Sequence, residues 1–565
     1  MYLSNREWFR LNASSVPASN FSGLSSGLRV CGVLLLWAAT AVSLSAQTFD
    51  TLYNFNYTDG LNPRGALVQA SNGLLYGTTG GDLVNSDGTI FEITTGGALT
   101  TITYFGGAVG EVPYAGLIQA TNGYFYGTTQ GGGMNGDGVV FDITSSGTLT
   151  ALHSFDGTDG AGPVDGLIQA TNGNFYGTTE FNGASGYGTV FSMTAGGTVT
   201  TLHNFTGGTD GAHPYAGVVQ GSDRNFYGTT LDGGAYGYGV VFKMTPSGTV
   251  TTLYSFNYHD VNGGNPYGGL VQGSNGAFYG TASGFGANNA GTVFKITAGG
   301  ALTLLYTFCS QAGCTDGDLP YVGLIQGSDG NLYGSTEFGG NAGGFGTIFE
   351  ITASGTLTTL HSFNGSTDGS YPEGALAQDT NGIFYGNTVG GGSGRTGTVF
   401  SLSTGLRAFV EVGPESGKEG AKIGILGQGF SHSSVVKFDG VEATSIKESG
   451  STFISATVPA GALTGTVTVT TGSTTLTSNS EFRVTPQVLS FSPPSGPVGT
   501  VVTITGVSLS QTEGVGFGDH VPASFQVESD TEVSATVPAG AKTGPVGVET
   551  KGGIGISSKK FTVTP

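Results

Sequence analysis

Charged residues are scarce in this sequence, and positively charged ones are the scarcest. Eighteen lysines and arginines stand against 38 aspartates and glutamates, which gives a formal net charge of −20. Sequence-independent binding to nucleic acid and docking on anionic lipid both require a basic surface. The composition therefore argues against nucleic acid and against anionic membranes as partners, and the acidic surface favours solubility.

Cysteine and tryptophan are nearly missing, with three and two copies in 565 residues. Both tryptophans, Trp8 and Trp37, lie close to the N-terminus, which argues against the tryptophan-docked folds of quinoproteins. Cys309 and Cys314 are five positions apart, and in an exported protein this spacing predicts a local disulfide. A metal pair is the weaker alternative, because no histidine or further cysteine lies nearby in the sequence.

Motifs of known catalytic sites are missing as well. Glycine runs such as the one at 131–133 lack the Gly-Lys-Ser/Thr ending of a phosphate-binding loop. There is no sialidase-type Ser-x-Asp-x-Gly-x-x-Trp box and no Asp-x-Asp-x-Asp-Gly calcium loop. We therefore predict no catalytic residue, no metal site and no cofactor. Two alternatives stay open, namely paired carboxylates that meet at the centre of the fold and calcium held by loop oxygens.

The first 46 residues have the order of a targeting segment. Arg6, Arg10 and Arg29 precede an apolar run at 30–44, and small residues follow. This order predicts a secretory signal peptide that is cleaved near Ala46. A retained anchor is the alternative, but the apolar run is short for a membrane span. We expect a secreted or cell-surface protein without a transmembrane span in its mature chain, and Cys31 does not have the position of a lipoprotein cysteine.

Internal repetition is the strongest signal in the chain. A phrase of the type Gly-Leu-Ile-Gln-Ala-Thr-Asn-Gly-Asn-Phe-Tyr-Gly-Thr-Thr recurs seven times at intervals of roughly fifty residues. Its tyrosines are Tyr76, Tyr126, Tyr176, Tyr227, Tyr279, Tyr333 and Tyr385. A proline recurs in phase with them: Pro63, Pro113, Pro163, Pro214, Pro266, Pro320 and Pro372. Seven copies in phase cannot arise by chance.

Each repeat contains four short runs of β-forming residues. Asn-Gly between the first two runs is a strong hairpin signal, and a short glycine-containing turn joins the last two. Four strands in about fifty residues are typical of a propeller blade. An additional run at 51–55 precedes the first repeat, and the seventh repeat lacks a fourth run of its own. We predict an all-β, seven-bladed β-propeller at 47–405 whose last blade is closed by the N-terminal strand; an open β-solenoid is the alternative.

The repeat phrases, together with the recurring Gly-Thr-Val-Phe, resemble the GloVer tandem repeat of bacterial "choice-of-anchor" exported proteins over about 51–403. This resemblance implies an exported repeat array with variable anchoring ends and without catalytic residues.

Two related halves follow the repeats. Each opens with a Pro-containing turn, contains Ser-Ala-Thr-Val-Pro-Ala-Gly, and ends with Phe-x-Val-Thr-Pro. About eighty residues of short alternating strands fit a small β-sandwich. Both halves resemble IPT/TIG domains, which have an immunoglobulin-like fold and serve as spacers in exported proteins. We expect them at 406–486 and 487–565.

Two sets of repeated polar residues invite a chemical explanation. His153, His203 and His361 share one repeat position with tyrosines, which indicates a packing role. Aspartates recur as Asp-Gly before the repeat proline, at Asp59, Asp159, Asp210, Asp316 and Asp368, with Asp260 nearby in the fifth repeat. The simplest interpretation is a turn in which aspartate bonds to its own backbone. His213, His259, His432 and His520 share no repeat position.

Binding is expected on the long loops, which alternate with tight turns and so collect on one face. Pro-Tyr or Tyr-Pro pairs lie there, at Tyr114, Tyr215, Tyr267, Tyr321 and Tyr371. Isolated aromatic residues stand among the loop glycines: Phe181, Tyr187, Tyr236, Tyr238, Phe285, Phe338 and Phe345. They form either caps that fold back on the blades or a surface for a glycan or an extracellular protein. We expect a non-catalytic binding or adhesion protein. A polysaccharide lyase or glycosidase with acids at the propeller centre and a structural surface-layer component are the alternatives.

Overall fold

The structure is a computed structural model that describes residues 47–81, 87–259, 261–341, 343–518 and 521–565. The predicted signal peptide with Cys31, Asp260 and His520 therefore lie outside the described residues. Apart from two short 3₁₀ turns, Gly107–Val109 and Ala312–Cys314, the regular elements of the described residues are β-strands. The all-β prediction is confirmed.

Twenty-eight strands build the repeat region. Those from the first three repeats are β1 (Thr48–Asn54), β2 (Val68–Gln69), β3 (Leu75–Thr79), β4 (Thr89–Ile93), β5 (Leu99–Tyr104), β6 (Ile118–Gln119), β7 (Phe125–Thr129), β8 (Val139–Ile143), β9 (Leu149–Ser154), β10 (Ile168–Gln169), β11 (Phe175–Thr179), β12 (Thr189–Met193) and β13 (Val199–Asn204). The next two repeats supply β14 (Val219–Gln220), β15 (Phe226–Thr230), β16 (Val240–Met244), β17 (Val250–Ser255), β18 (Val271–Gln272), β19 (Phe278–Ala282), β20 (Thr292–Ile296) and β21 (Leu302–Thr307). The last two supply β22 (Ile325–Gln326), β23 (Leu332–Thr336), β24 (Thr347–Ile351), β25 (Leu357–Ser362), β26 (Ala377–Gln378), β27 (Phe384–Thr388) and β28 (Thr398–Ser403).

These strands form seven antiparallel sheets of four strands each. Six of them are simple meanders, such as β2-β3-β4-β5, in which each strand pairs with the next. The seventh has the order β1-β28-β27-β26, so the first strand of the chain supplies its fourth strand. Thr48 pairs with Ser403 and Asn54 with Thr398. The strand before the first repeat therefore covers the edge of β28, which the seventh repeat itself leaves open.

Neighbouring sheets pack through aromatic side chains. The second strand of each sheet is buried along its whole length, and its tyrosine contacts the residue that begins the second strand of the next sheet. Tyr126 stacks on Phe175 with ring centroids 4.1 Å apart, and Tyr176 stacks on Phe226 at 4.0 Å. Such pairs contribute about 0.5–1.5 kcal/mol each beyond the area they bury. The Phe-Tyr dipeptide of the repeat is thus one half of each contact between sheets.

The glycine after this tyrosine is required by packing. A Cβ atom on Gly177 would lie 2.8 Å from Leu167 Cδ2 and 2.8 Å from Phe191 Cζ. Any larger residue would push apart the leucine before the first strand and the phenylalanine of the third. This packing explains why glycine follows the tyrosine in every repeat.

Two sets of hydrogen bonds join the seven sheets into a closed series. In the first set, a glutamine side chain on the first strand of each sheet accepts a hydrogen bond from a backbone N–H in the tight turn of the preceding sheet, at 2.8–3.0 Å. The last of these bonds runs from Thr380 N–H in the seventh sheet to Gln69 in the first. A hydroxyl of each of the first six sheets likewise donates to a carbonyl of the next, and Asn387 donates to Gly65 O across the closure. The seventh sheet therefore contacts the first as the others contact their neighbours.

Two sandwiches follow, each with a four-stranded and a five-stranded sheet. The first contains β29 (Glu411–Gly413), β30 (Ser416–Gly417), β31 (Lys422–Leu426), β32 (Val435–Phe438), β33 (Val441–Glu442), β34 (Ile446–Ser449), β35 (Phe453–Thr457), β36 (Gly465–Thr471) and β37 (Thr474–Val484). The second contains β38 (Gln487–Ser492), β39 (Ser495–Gly496), β40 (Val501–Val507), β41 (Thr512–Phe517), β42 (Val521–Pro522), β43 (Ser524–Ser529), β44 (Glu532–Thr536), β45 (Gly544–Thr550) and β46 (Gly553–Val563). Their strand orders correspond, as in β29-β31-β35-β34 and β38-β40-β44-β43.

Candidate functional site

The seven sheets present two different faces. Adjacent antiparallel strands run in opposite directions, so successive connections emerge on alternate sides. Tight turns join first to second strands and third to fourth strands; we call this side the turn face. Long connections join second to third strands and lead from each repeat to the next; we call this side the loop face.

The first sandwich lies against the turn face. Thr452 Oγ1 donates to Ser71 O in the first sheet at 3.1 Å, and Gln428 reaches the corresponding turn of the seventh sheet. Arg483 donates to Ser222 O in the fourth sheet at 3.2 Å. The first and seventh sheets meet at the closure, and the fourth is distant from them in the series. The sandwich thus spans the centre of the turn face.

The predicted loop aromatics fall into groups at the junctions between repeats. Phe181 and Tyr187 of the third repeat flank His213 of the fourth, with ring centroids 5.8 and 5.9 Å from the imidazole. Phe181 is 43% exposed and Tyr187 41%. Tyr236, at 58%, is the most exposed residue of the predicted set. These three rings are open to solvent on the loop face.

A second group lies at the next junction. Tyr238 and Phe285 meet edge to face at 5.0 Å, and Tyr258 lies 5.3 Å from Tyr238. Tyr258 is 48% exposed, whereas Tyr238 and Phe285 are half-buried. Tyr258 was not among the predicted residues, and only its position in the long connection after β17 indicates it.

The remaining predicted aromatics fold back. Phe338 and Phe345 pack around Tyr371, with ring centroids 5.4 and 6.1 Å from it. Phe345 also covers Gly365 and packs against the core between the sixth and seventh sheets. Here the rings cap the sheets, which is one of the two roles the sequence left open.

The recurring histidines and aspartates belong together. His153 Nε2 lies 2.6 Å from Asp159 Oδ2, and His361 Nε2 lies 3.0 Å from Asp368 Oδ2. Tyrosine serves the same purpose elsewhere, as Tyr306 donates to Asp316 at 2.8 Å. The aspartates also accept backbone N–H groups of their own loops, as the turn interpretation predicts. The packing interpretation of the histidines is thus incomplete, because the imidazole also makes a hydrogen bond that fixes the long loop.

The Cys309 and Cys314 sulfur atoms are joined, and the bridge closes the loop after β21. Within the described residues, no three histidine, cysteine, aspartate or glutamate side chains gather in a way that could hold a metal ion. The same residues include no helix long and apolar enough to cross a bilayer.

A cavity of about 320 Å³ lies where the inner strands of the seven repeats converge. Its wall includes the residue that follows the repeat proline in every repeat: Arg64, Tyr114, Val164, Tyr215, Tyr267, Tyr321 and Glu373. These residues precede the first strands, so the cavity lies toward the loop face. Val164 is buried and the other six are half-buried.

Tyrosines form one side of this cavity. Tyr267 stacks on Tyr321 with ring centroids 4.2 Å apart, and Tyr215 meets Tyr267 edge-on at 5.1 Å. Burial raises the pKa of the Tyr215 hydroxyl to about 12 and also raises the pKa of Tyr321, so these two phenols are neutral donors and acceptors at physiological pH.

An ion pair forms the adjoining part of the wall. Arg64 Nη1 lies 2.9 Å from Glu373 Oε2, and the Arg64 guanidinium lies 4.7 Å from the ring centroid of Tyr114. Burial raises the pKa of Glu373, and Arg64 opposes that shift. Asp165 also borders the cavity, where its two oxygens accept the N–H groups of Gly166 and Gly217 at 2.7 Å each.

Sequence reasoning missed the charged members of this wall, Arg64, Asp165 and Glu373. A usable signal was present: the position after the repeat proline changes between Arg, Tyr, Val and Glu, whereas the proline before it and the glutamine of the first strand recur in all seven repeats. Variation at this position shows that the fold of the repeat does not require one particular side chain there.

Solved structures that resemble this chain include three of low sequence identity. A gluconolactonase from Xanthomonas campestris is 14% identical, with a TM-score of 0.36 over 65% of this chain and 92% of its own. A putative 6-phosphogluconolactonase from Bacteroides uniformis is 17% identical, with a TM-score of 0.40 over 55% and 88%. A surface glycan-binding protein from Prevotella bryantii is 19% identical, with a TM-score of 0.21 over 26% and 38%. Scores this low carry no functional argument. No curated protein matches the chain.

Family comparison is decisive. The model of the Gloeobacter/Verrucomicrobia repeat matches residues 38–230, 119–326 and 311–426, and the IPT/TIG domain matches 409–484 and 486–564. The predicted resemblances are confirmed: the chain belongs to the Gloeobacter/Verrucomicrobia repeat family and ends in two IPT/TIG domains.

Proposed function

We propose that the seven sheets form a seven-bladed β-propeller at 47–405, with IPT/TIG domains at 406–486 and 487–565. The closed series of glutamine and hydroxyl hydrogen bonds supports a ring, because an open array would leave the first and seventh sheets apart. The chain is exported after removal of residues 1–46, in keeping with the order of charged, apolar and small residues there.

The propeller binds an extracellular glycan or protein at its loop face, without catalysis. The observation that carries this proposal is the position of the first IPT/TIG domain. It occupies the turn face, whereas the loop face keeps Phe181, Tyr187 and Tyr236 exposed on rigid sheets. Loops on a rigid scaffold commonly carry recognition, and exposed tyrosines suit partners that are both polar and apolar. The domain packs against the propeller and holds it in one orientation, so it is not a flexible spacer.

A catalytic role finds less support at the centre of the ring. Both oxygens of Asp165 are occupied by backbone N–H groups, and Glu373 is paired with Arg64. Neither carboxylate is therefore placed as a free acid or base.

A glycan-array screen of the exported chain, paired with a polysaccharide-cleavage assay, tests the proposal. Binding without turnover supports the proposal, and turnover supports the lyase or glycosidase alternative. Absence of both binding and turnover supports a structural surface-layer component. For a ligand so found, Tyr236→Ala should weaken binding. Tyr124→Ala is the matched control, because Tyr124 is also exposed, at 43%, but lies in a tight turn. Loss of affinity in the control alone would move the site to the other face.

A further inference from the structure

The central cavity has the build of a small-molecule site. Its volume of about 320 Å³ falls at the lower end of the range of roughly 300–1,000 Å³ for such sites. The fold of the repeat does not require a polar residue at the position after the proline, since Val164 occupies that position in the third repeat. An apolar residue would suffice for packing, yet four repeats place tyrosine there and two place charged groups.

The two sides of the cavity differ in what they can contact. Tyr215, Tyr267 and Tyr321 come from consecutive repeats and form a continuous aromatic surface. Arg64 and Glu373 come from the first and seventh repeats, which follow the repeat of Tyr321 in the closed series. A ligand that contacts both the tyrosines and the ion pair needs one apolar face and an edge of hydrogen-bonding groups. A pyranose ring has both.

Arg64 retains a donor that the protein does not use. Its Nη1 is engaged by Glu373, whereas its Nε is buried and has no hydrogen-bond partner among the described residues. A buried donor without a partner is costly. The Arg64 side chain is 30% exposed, so its accessible part can donate to a ligand hydroxyl. Glu373 offers the complementary acceptor for a hydroxyl proton.

The charges near the cavity select against anions. Glu337 is half-buried, and burial together with the neighbouring Glu373 raises its pKa to about 7, with Arg64 opposing. Burial also raises the pKa of Glu180 and of Asp165. Glu373 and Glu337 thus share the Arg64 guanidinium, and a ligand carboxylate would add a further negative charge. An uncharged ligand avoids this cost.

Access is limited to one direction. The first IPT/TIG domain spans the turn face, contacting the first and fourth sheets on opposite sides of the closed series. A ligand chain cannot pass through the ring from end to end, so it must enter from the loop face and stop inside. Only the end of a chain, or a free small sugar, can reach Arg64.

We propose that the central cavity binds one uncharged sugar ring, at the end of a glycan chain or free, with its apolar face on the Tyr267–Tyr321 side and its hydroxyls on Arg64 and Glu373. This inference rests on the proposed binding at the loop face and names its ligand class and its innermost contact.

The test uses the whole exported chain and a panel of glucose, galactose, mannose, xylose and N-acetylglucosamine with their neutral disaccharides. Glucuronate and galacturonate serve as anionic counterparts. Binding is measured by calorimetry and by saturation-transfer NMR. Two variants exchange cavity residues for those that other repeats carry at the same position, Tyr321→Val and Arg64→Tyr, so that the fold tolerates them. Tyr236→Ala reports on the rim.

We expect at least one neutral sugar to bind and both cavity variants to lose about tenfold or more in affinity, with circular dichroism unchanged. Tyr236→Ala should affect oligosaccharides more than monosaccharides. Failure of every neutral sugar to bind, preference for the uronates, or full affinity in both cavity variants would each overturn the inference. Loss confined to Tyr236→Ala would overturn it while leaving the loop-face proposal intact. Loss confined to Tyr124→Ala would overturn both.

Discussion

Ionisation of Asp379 should destabilise the contact between the first IPT/TIG domain and the repeats. The equivalent residue is alanine or glycine in the other six repeats, and aspartate appears only in the repeat that receives Gln428. Asp379 is 1% exposed. Its Oδ1 accepts the N–H of Asn381 at 2.8 Å and Nε2 of Gln428 at 3.1 Å, while Oδ2 is buried without a partner in the described part of the chain.

The magnitude follows from the burial of this carboxyl. Burial raises the pKa of Asp379 from 3.8 to about 6, although its hydrogen bonds oppose the shift. Between these values the folded protein keeps a proton that the unfolded chain has released, so stability falls as pH rises. The full effect is about 3 kcal/mol, reached above pH 6.

Urea titrations at pH 4, 5, 6 and 7.5, followed by circular dichroism, measure this effect. Asp379→Ala restores the residue of the first three repeats, and its unfolding free energy should fall less than that of the parent across this range. Asp329→Asn is the control, because it removes a tight-turn carboxylate whose hydrogen bonds stay within its own sheet. If the parent and Asp379→Ala have parallel pH profiles, the buried carboxyl is not the cause and the reasoning fails.

Three further outcomes are expected. Deletion of 48–54 exposes the edge of β28 and removes the stacking of Phe49 on His361 at 3.7 Å, so the thermal midpoint should fall by several degrees or more; an unchanged midpoint would indicate an open array. Mass spectrometry of unreduced exported protein should show Cys309 bonded to Cys314, and two free thiols would contradict this; reduction of so short a loop should cost at most about 2–3 kcal/mol. Gly177→Ala should lower stability by roughly 1–3 kcal/mol in denaturant titrations because its Cβ meets two core side chains, whereas Gly196→Ala, where φ is not positive and the added Cβ meets only Thr194 Oγ1 at 4.0 Å, should cost less.

The all-β architecture and the four strands per repeat could be predicted because local chemistry decides them. Asn-Gly specifies the tight turn between the first two strands in five of the seven repeats, and buried runs of the type Phe-Tyr-Gly-Thr-Thr specify the second strands. The glutamine of the first strand recurs in every repeat. Its hydrogen-bond partner lies in the preceding repeat, and the repeat sequence alone does not indicate that contact.

The candidate site was less accessible to sequence reasoning. Arg64 and Glu373 are about three hundred positions apart, and only closure of the series brings them together. Phe345 and Tyr236 are both aromatic residues among loop glycines, yet one is packed on Gly365 and the other is exposed. Such differences depend on the path of each loop, which a single sequence does not reveal. The place of the first IPT/TIG domain on the turn face is equally a result of tertiary contacts.

The pairing of β1 with β28 has a consequence for biogenesis. The strand needed to complete the last sheet comes before all seven repeats in the chain, and its partner β28 comes at their end, so in the export proposed above the two cross the membrane far apart in time. Until β28 has crossed, β1 has no strand partner, and Phe49 lacks the rings of His361 and Phe400 on which it packs. Contacts that span so much of the sequence form slowly. The interval between emergence of the first and last sheets is therefore the period in which the N-terminal strand stays unpaired.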